Sequence, residues 1–314
     1  MLLTQTFASL FILVSVVTAA GHSDVCNIGY CTLNGGTSGG SGGSTTTVTS
    51  LAALTAAVTG TAKKVYRALS GAITGTGRVD LGANTSLLGL PGSSLSGVGI
   101  GVHNTSNVII RNLKVSKVVG GDGVQVQWSS NVWIDHVDVS SDRDHGLDYY
   151  DGAIDLTHQT QCCCHQSTHS TYSQHMKCVL IGADDSNTED KLATITLANN
   201  YYNNIQTRSP MARFGTFHIY NTYFNDLDDS ISTYMGAQML VENNVWENSV
   251  NTVKTSKTDT RGYAVVRNND YGSAKQPNMT AGTFTTAPYS TTLLSLTSIK
   301  SSAQSNAGQK LTWS

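Results

Sequence analysis

Charged residues are scarce in this chain of 314 amino acids. They make up 13% of it, against roughly 25% in ordinary soluble domains. The formal net charge is only −2, which gives the surface no broad basic field for nucleic acid or anionic lipid. A polyanionic partner would therefore have to be held by a local site.

Long apolar runs are also rare, and the clear one stands at the N-terminus. Residues 7–17 are mostly apolar and are followed by Thr18, Ala19 and Ala20, a pattern typical of a secretory signal peptide. No Lys or Arg precedes the run, so a buried N-terminal helix or strand is the alternative. No second stretch approaches the about 20 apolar residues that span a membrane. We expect residues 1–20 to be a signal peptide and residues 21–314 to be one secreted, extracellular domain.

Cysteines are few, and all lie beyond the apolar run: Cys26, Cys31, Cys162, Cys163, Cys164 and Cys178. An even count in an exported chain permits disulfides. Cys26 and Cys31 are a plausible local pair, and the other connectivities stay open. Asn-X-Ser/Thr triplets, which accept N-linked glycans in secreted proteins, occur at Asn84, Asn104 and Asn278.

Ser, Thr, Gly and Asn fill the place of the missing charges and form a repeat. NVIIRNLKV (107–115) and NVWIDHVDV (131–139) start 24 residues apart, and Asn199, Asn221 and Asn243 follow later strands at intervals of 22. Short alternating strands with this period are typical of one coil of a parallel β-helix. Leucine-rich repeats have similar periods, but their Leu pattern is absent. We predict an all-β parallel β-helix in which the three Asn side chains stack as a structural ladder.

The two ends differ from the repeats. Thr49 or Ser50 is placed to cap a short helix over residues 51–58, and such a helix would cover the exposed end coil that every solenoid must protect. From about Asn251 the repeat fades into a Thr- and Ser-rich tail. We expect this tail to pack along the outside.

Three aspartates are grouped near the predicted strands. Asp122 lies just before one repeat, and Asp151 and Asp155 are four residues apart in YYDGAIDLTH. Carboxylates that project from neighbouring coils would form a cluster of hard oxygens suited to Ca²⁺, which takes 6–8 oxygen ligands. Solvated turn aspartates are the alternative.

Basic residues follow at later positions of the repeat. Lys177 lies in HMKCVLIG, and Arg208 and Arg213 lie in QTRSPMARFG. Equivalent positions of successive coils are neighbours in space, so these cations and the three aspartates can line one shallow face. Acidic and basic groups around a metal suit a carboxylated sugar polymer.

Three strings carry a family resemblance. VWIDH (132–136), YYDGAIDLTH (149–158) and RSPMARFGTFHIYN (208–221) resemble the motifs of polysaccharide lyase family 1, the pectate lyases. The resemblance implies a right-handed, single-stranded parallel β-helix with a short N-terminal capping helix. It also implies Ca²⁺-dependent cleavage of polygalacturonate by β-elimination. Nothing in the sequence calls for an oligomer, so a monomer is expected.

The resemblance assigns roles by motif. It implies Ca²⁺ ligands at Asp122, Asp151 and Asp155, and the catalytic base at Arg208. Lys177 matches the lysine that contacts the substrate carboxylate, and Arg213 matches a second substrate-binding arginine. A base must be neutral to accept a proton, and arginine is almost always protonated. Assigning Arg208 as the base therefore predicts an alkaline pH optimum. Asp135 and His136 are better interpreted as structural support for the coil.

Residues 161–174 (QCCCHQSTHSTYSQ) depart from the family pattern. Cys and His together raise the possibility of zinc, but three consecutive Cys lack the usual C-x₂₋₄-C spacing. An error in the gene sequence, which would shift a coil wall beside Lys177, is the preferred interpretation.

Three other functions are alternatives to this one. Pectin lyase acts on methyl-esterified polymer without Ca²⁺ and lacks the full acidic cluster. Polygalacturonase has paired carboxylates near a Gly-His-Gly motif, which is absent here. A catalytically impaired, pectin-binding β-helix is the alternative from another class of function, because residues 161–174 are atypical.

Overall fold

A computed structural model describes residues 19–58, 60–62, 64–68, 71–158, 163–255 and 260–314, with the backbone alone for 65–68 and 163–167. Almost all of the predicted signal peptide (1–20) lies outside the described residues, as do Cys162 and the side chains of Cys163, Cys164 and His165. Of the Cys and His side chains that raised the zinc alternative, only that of His169 is among those described.

Short strands dominate the described part of the chain. In order they are β1 (Ser44–Val48), β2 (Lys64–Ala68), β3 (Ala72–Asp80), β4 (Thr85–Gly89), β5 (Ser94–His103), β6 (Ser106–Arg111), β7 (Lys114–Ser116), β8 (Val124–Gln127), β9 (Ser130–Asp135), β10 (Asp138–Ser140), β11 (Gly152–Thr157), β12 (Cys163–Thr168), β13 (Thr171–Ile181), β14 (Ala193–Ala198), β15 (Tyr201–Thr207), β16 (Met211–Arg213), β17 (Thr216–Tyr220), β18 (Tyr223–Leu227), β19 (Asp229–Tyr234), β20 (Gln238–Glu242), β21 (Val245–Glu247), β22 (Asn251–Thr255) and β23 (Tyr263–Arg267). The helices are α1 (Leu51–Ala57) and α2 (Leu296–Asn306), with 3₁₀ turns at Gly29–Thr32 and Thr188–Leu192.

The strands stack in parallel into three walls of a β-solenoid, which confirms the predicted parallel β-helix. The first wall is a sheet in the order β1-β2-β4-β6-β9-β12-β14-β17-β20-β23. The second holds β7, β10, β15, β18 and β21, and the third holds β8, β11, β16, β19 and β22. The long strands β3, β5 and β13 run from the second wall into the third. β12 pairs without a register shift with β9 and β14, so the described part of the atypical stretch continues the first wall.

Equivalent side chains stack along the inside of the solenoid. Tyr172, Tyr202, Phe224 and Trp246 occupy matching positions on four successive strands of the second wall. Their ring centroids are 4.8, 5.0 and 4.6 Å apart, close to the about 4.8 Å spacing of paired strands. All four rings are fully buried. An aromatic side chain at the same position of four successive coils therefore forms a continuous stack in this part of the core.

The predicted Asn ladder is confirmed. The Asn221 amide donates to Asn199 Oδ1 at 3.1 Å, and the Asn243 amide donates to Asn221 Oδ1 at 2.7 Å. All three residues have φ between 51° and 57°, the left-handed region that Asn tolerates better than most residues. Asn at intervals of one coil thus turns the backbone and links successive coils.

The ends of the solenoid also follow the prediction. The Ser50 hydroxyl accepts a hydrogen bond from the Ala53 amide at 3.2 Å and caps α1, whose Leu54 is buried in the core. Cys26 and Cys31 form a disulfide. The C-terminal tail returns along the outside, where Trp313 bridges Ala20. No helix among the described residues has the length and apolar character needed to cross a membrane.

Candidate active site

The predicted acidic residues lie just before or within two neighbouring strands of the third wall. Asp122 precedes β8, Asp151 immediately precedes β11, and Asp155 is within β11. β8 and β11 are paired, with Asp155 opposite Gln125. The structure therefore brings Asp122 and Asp155 together.

Asp122 is buried and hydrogen-bonded at both oxygens. Its Oδ1 accepts from the Gly152 amide at 2.8 Å, and its Oδ2 accepts from Gln125 Nε2 at 2.8 Å. Burial raises the pKa of Asp122 to about 6 although these hydrogen bonds oppose the shift. An acid in this state binds a proton or a cation readily near neutral pH.

Asp155 is the least satisfied acid of the group. Its Oδ1 is buried and has no hydrogen-bond partner among the described residues. Burial and the nearby Asp122 raise the pKa of Asp155 well above its usual range, against the opposing charge of Arg208. An orphaned buried carboxylate oxygen is costly, and a cation is one way to satisfy it.

Gly152 provides the room in which the two carboxylates meet. A Cβ at this position would lie 2.9 Å from Asp122 Oδ1 and would collide with Asp155 Oδ1. The absence of a side chain therefore lets both oxygens converge on one point.

Lys177 lies beside this cluster on β13, opposite Gly152. Its ammonium contacts Asp151 Oδ1 at 2.6 Å and Asp148 Oδ1 at 2.8 Å. Burial by itself would lower the pKa of Lys177, but these two hydrogen bonds raise it above its usual value. Lys177 is therefore held as a cation next to the acids. Its pairing with Gly152 shows that the atypical residues 161–174 have not displaced it.

Arg208 links β15 to β16 and has a φ of 63°. Its backbone oxygen accepts from the Val179 amide at 2.6 Å, which fixes the residue next to β13. Within the described residues its guanidinium has no ion pair or side-chain hydrogen bond, although its charge acts on both Asp155 and Lys177. Arg208 is therefore half-buried beside the acids and is not tied to a described side chain by a hydrogen bond.

Arg213 ends β16 and is held by a different set of groups. Its Nε bonds Asp185 Oδ1 at 2.6 Å, its Nη1 donates to the Gly182 carbonyl at 3.2 Å, and its guanidinium carbon lies 5.7 Å from the Tyr234 ring centroid. Arg213 thus lies on the same wall, with its position set by Asp185 rather than by the acidic cluster.

Three polar partners of the site were missed by the sequence analysis. Gln125 binds Asp122. Asp148 binds Lys177, and Asp185 binds Arg213. Gln125 could have been found from its position, since β8 aligns it with Asp155. Asp148 and Asp185 lie in irregular segments outside the repeat, where the period gives no register.

The VWIDH motif supports the first wall. Asp135 accepts from Arg111 Nε at 2.7 Å and from the Thr168 hydroxyl at 2.7 Å, and lies 2.8 Å from His136 Nδ1. Burial alone would raise the pKa of Asp135, but His136 and His169 hold it well below its usual range. Ligand atoms of Asp135, His136 and His169 lie within 4.8 Å of one another, yet both oxygens of Asp135 already have partners. The network is that of a structural tie between coils, as expected.

Solved structures with this architecture define its class. The chain superposes on a Bacillus pectate lyase in complex with trigalacturonate, with a TM-score of 0.81, 27% identity, and coverage of 90% of this chain and 98% of that one. Pectate lyase II from Xanthomonas campestris gives a TM-score of 0.78 at 23% identity, with the same coverage, which shows the fold alone. The protein is a parallel β-helix of the type that these lyases share.

Sequence relatives narrow the class to one family. The pectate lyase family model matches residues 1–311. A probable pectate lyase A of Aspergillus fumigatus is 49% identical over 295 residues, covering 92% of this chain and 90% of its own. Pectate lyase A of Aspergillus niger is 47% identical over 293 residues, covering 91% and 88%. The chain belongs to the pectate lyase family and is an enzyme of that kind.

Proposed function

We propose that the protein is a secreted lyase that cleaves polygalacturonate by Ca²⁺-dependent β-elimination. The observation that carries this proposal is the unpaired, buried Asp155 Oδ1 beside Asp122, with Lys177 and Arg208 next to them. A trigalacturonate complex of a related Bacillus lyase supports the substrate class.

The acidic cluster fits a calcium ion. Oxygens of Asp122 and Asp155 converge where Gly152 has no side chain, and Asp151 offers a third carboxylate once its contact with Lys177 is shared. An all-oxygen set of this kind suits Ca²⁺ rather than a softer metal. Bound there, Ca²⁺ supplies positive charge that neutralises a substrate carboxylate and the charge that develops on it.

Lys177 supplies a second cation for the same carboxylate. Its ammonium is a strong hydrogen-bond donor on a largely buried stem, and its two present partners are both acids. An ammonium has three N–H donors, so a galacturonate carboxylate can accept the third while Asp148 and Asp151 keep theirs. Lys177 then orients the sugar and stabilises the enolate-like charge of the transition state.

Arg208 acts as the base. It takes the proton from C5 of the sugar, the electron pair left on C5 forms a double bond to C4, and the bond from C4 to the glycosidic oxygen breaks. The departing oxygen takes a proton from solvent. Because a guanidinium deprotonates only at high pH, we expect an alkaline optimum. Arg213 binds a neighbouring part of the substrate.

Secretion completes the proposal. The apolar run at 7–17 favours export, and the disulfide between Cys26 and Cys31 suits an oxidising compartment. We also propose glycans at one or more of Asn84, Asn104 and Asn278, and a monomeric state.

The test is ultraviolet absorbance on polygalacturonate at alkaline pH, because elimination creates a conjugated, absorbing sugar end. Absorbance should increase with time in the presence of Ca²⁺, and this increase should stop when excess chelator is added. Arg208→Gln should abolish the signal, whereas Arg143→Gln, which removes a half-buried arginine paired with Asn204 and Asp228, should keep it.

Two results would contradict the proposal. Equal activity on methyl-esterified pectin in chelator would indicate a pectin lyase. Binding of polygalacturonate without any absorbance change would indicate an impaired, pectin-binding protein.

A further inference from the structure

A cleft lies on the third wall and extends from the acidic cluster towards the N-terminal coils. It has a volume of about 260 Å³, and its walls include Arg78, Val119, Gly121, Asp122, Gln125 and Asp151. The cleft therefore shares two acids with the candidate calcium site and adds one arginine that the proposed reaction does not use.

Arg78 is fixed in this cleft by two side chains. Its Nε bonds Asp80 Oδ1 at 2.8 Å, and its Nη1 donates to Gln125 Oε1 at 2.7 Å. Gln125 in turn donates from Nε2 to Asp122 Oδ2. A single glutamine thus connects the Arg78 guanidinium to a proposed calcium ligand, and the orientation of both groups is set before substrate arrives.

Glycine in β5 makes this reach possible. Arg78 is on β3, whereas Gln125 is on β8, with β5 between them. A Cβ at Gly101 of β5 would lie 2.8 Å from Arg78 Nε and would collide with Asp80 Oδ1. Since Gly101 has no side chain, Arg78 can cross over β5 towards the acidic cluster.

The guanidinium keeps donors for a ligand. Arginine has five N–H groups in a planar fork, and the bonds from Nε and Nη1 leave Nη2 without a partner among the residues that the structure describes. The Arg78 side chain is 41% exposed. A planar fork of this kind matches a carboxylate in two-point contact.

We propose that Arg78 binds the carboxylate of a second galacturonate residue, on the opposite side of the calcium ligands from Arg208. This subsite rests on the proposed function and extends it. The guanidinium lies over β8, three strands before β16, which is about 14 Å across the wall at the usual strand spacing. A cation at each side of the acids therefore requires a substrate of several uronate residues and sets the preference for unesterified polymer.

The experiment compares Arg78→Gln with Arg78→Lys and with Lys300→Gln. Lys300 is a matched control because it is an exposed cation on α2, paired with Glu247 and packed against the second wall. For each variant, KM, kcat and direct binding to polygalacturonate are measured with Ca²⁺ present. Arg78→Gln should raise KM and weaken binding about tenfold while kcat stays within about twofold, as expected for loss of uniform binding. Arg78→Lys should recover part of the loss, and shorter oligogalacturonates should show a smaller effect.

Several outcomes overturn the inference. Wild-type KM and binding in Arg78→Gln would do so, and so would an equal loss in Lys300→Gln, since that indicates only a general charge effect. A lowered melting temperature with unchanged KM in Arg78→Gln would show a merely structural role.

The binding measurement separates the two proposals. If the wild-type protein binds polygalacturonate without eliminating it, the proposed function fails, and weaker binding by Arg78→Gln still supports the subsite. If that protein is inactive and Arg78→Gln binds normally, both proposals fall.

Discussion

Two aspartates on different walls of the solenoid, the buried Asp135 and the half-buried Asp155, differ in how their oxygens are satisfied. Asp135, on the first wall, receives Arg111, Thr168 and His136, and its pKa is held well below the usual range. Asp155, on the third wall, has an unpartnered Oδ1 and a pKa raised well above it. Both oxygens of Asp135 therefore have hydrogen-bond partners, whereas the buried Oδ1 of Asp155 has none among the described residues. Full pairing indicates a structural role, and the open group indicates a binding role.

The largest expected effect separates these roles through Asp155. Asp155→Asn should lower lyase activity by at least about a hundredfold, because metal ligands matter at least as much as the outer partners that cost 10–100-fold. It should also remove most of the stabilisation by Ca²⁺, measured as the rise in melting temperature on adding the ion. Stability in chelator should stay the same or increase, since the substitution removes a poorly solvated charge.

A loss of stability in Asp155→Asn would contradict the contrast between Asp155 and Asp135. If Asp155→Asn lost stability in chelator and kept its response to Ca²⁺, Asp155 would be structural, like Asp135, and the calcium site would have to lie elsewhere.

Asp135→Asn should have the next largest effect, on stability alone. Removing one charge of a buried, hydrogen-bonded network should lower the free energy of unfolding by about 3 kcal/mol or more. The response to Ca²⁺ and the kcat of the surviving folded protein should be unchanged. Denaturant unfolding measures the loss.

Asp24→Asn is the matched control for Asp135→Asn. Asp24 pairs with the same Arg111, at 2.8 Å, but is 43% exposed. An exposed pair contributes little, so its loss should cost less than about 1 kcal/mol. Equal losses of unfolding free energy in the two variants would show that Asp135 stabilises the fold no more than an exposed partner of Arg111 does.

Much of the fold and of the acidic cluster can be predicted from the period of the sequence repeat. Asn199, Asn221 and Asn243 recur every 22 residues, and this interval predicts both the parallel coils and the bonded Asn ladder. The same logic predicts that acids before β8 and within β11 converge. Local alternation and a fixed repeat are strong signals because each coil repeats the packing of its neighbour.

The remaining features depend on contacts that no period encodes. Asp148 reaches Lys177 from an irregular loop, and Arg78 reaches Gln125 only because Gly101 is bare. Helix α2 was missed because it buries few residues, chiefly Ile299 and Ala303, among Ser, Thr and Gln. Such contacts depend on three-dimensional reach rather than on residue type or spacing.

The pH dependence of stability should have one sign for Asp122 and Asp155 and the opposite sign for Asp135. Without Ca²⁺, the pKa of Asp122 is about 6, against roughly 3.9 in an unfolded chain. The folded state therefore binds more protons between about pH 4 and pH 6, and the free energy of unfolding should fall as pH rises through that window. Asp155 acts in the same direction. Asp135, whose pKa is depressed, contributes stability that is present above about pH 4 and is lost as pH falls through its folded pKa.

Denaturant unfolding from pH 3 to pH 8 in chelator measures both the decline above pH 4 and the loss of stability below it. Asp122→Asn should flatten the decline between about pH 4 and pH 6, by on the order of 1–3 kcal/mol. Saturating Ca²⁺ should remove the same decline, since it binds the deprotonated acids. A decline that persists in Asp122→Asn would assign it to other groups.

The smallest expected effect concerns Asp148, whose side chain is 88% exposed where it bonds Lys177 at 2.8 Å. An exposed charge pair is weak and is screened by salt, so Asp148 can only help to position Lys177 for the substrate. Asp148→Asn should raise KM about two- to fivefold at low ionic strength, leave kcat nearly unchanged, and lose its effect in high salt. Asp144→Asn, in the same loop and without a bond to Lys177, is the control. A lower KM in Asp148→Asn would show instead that Asp148 repels the substrate carboxylate, and Asp151 alone would then position Lys177.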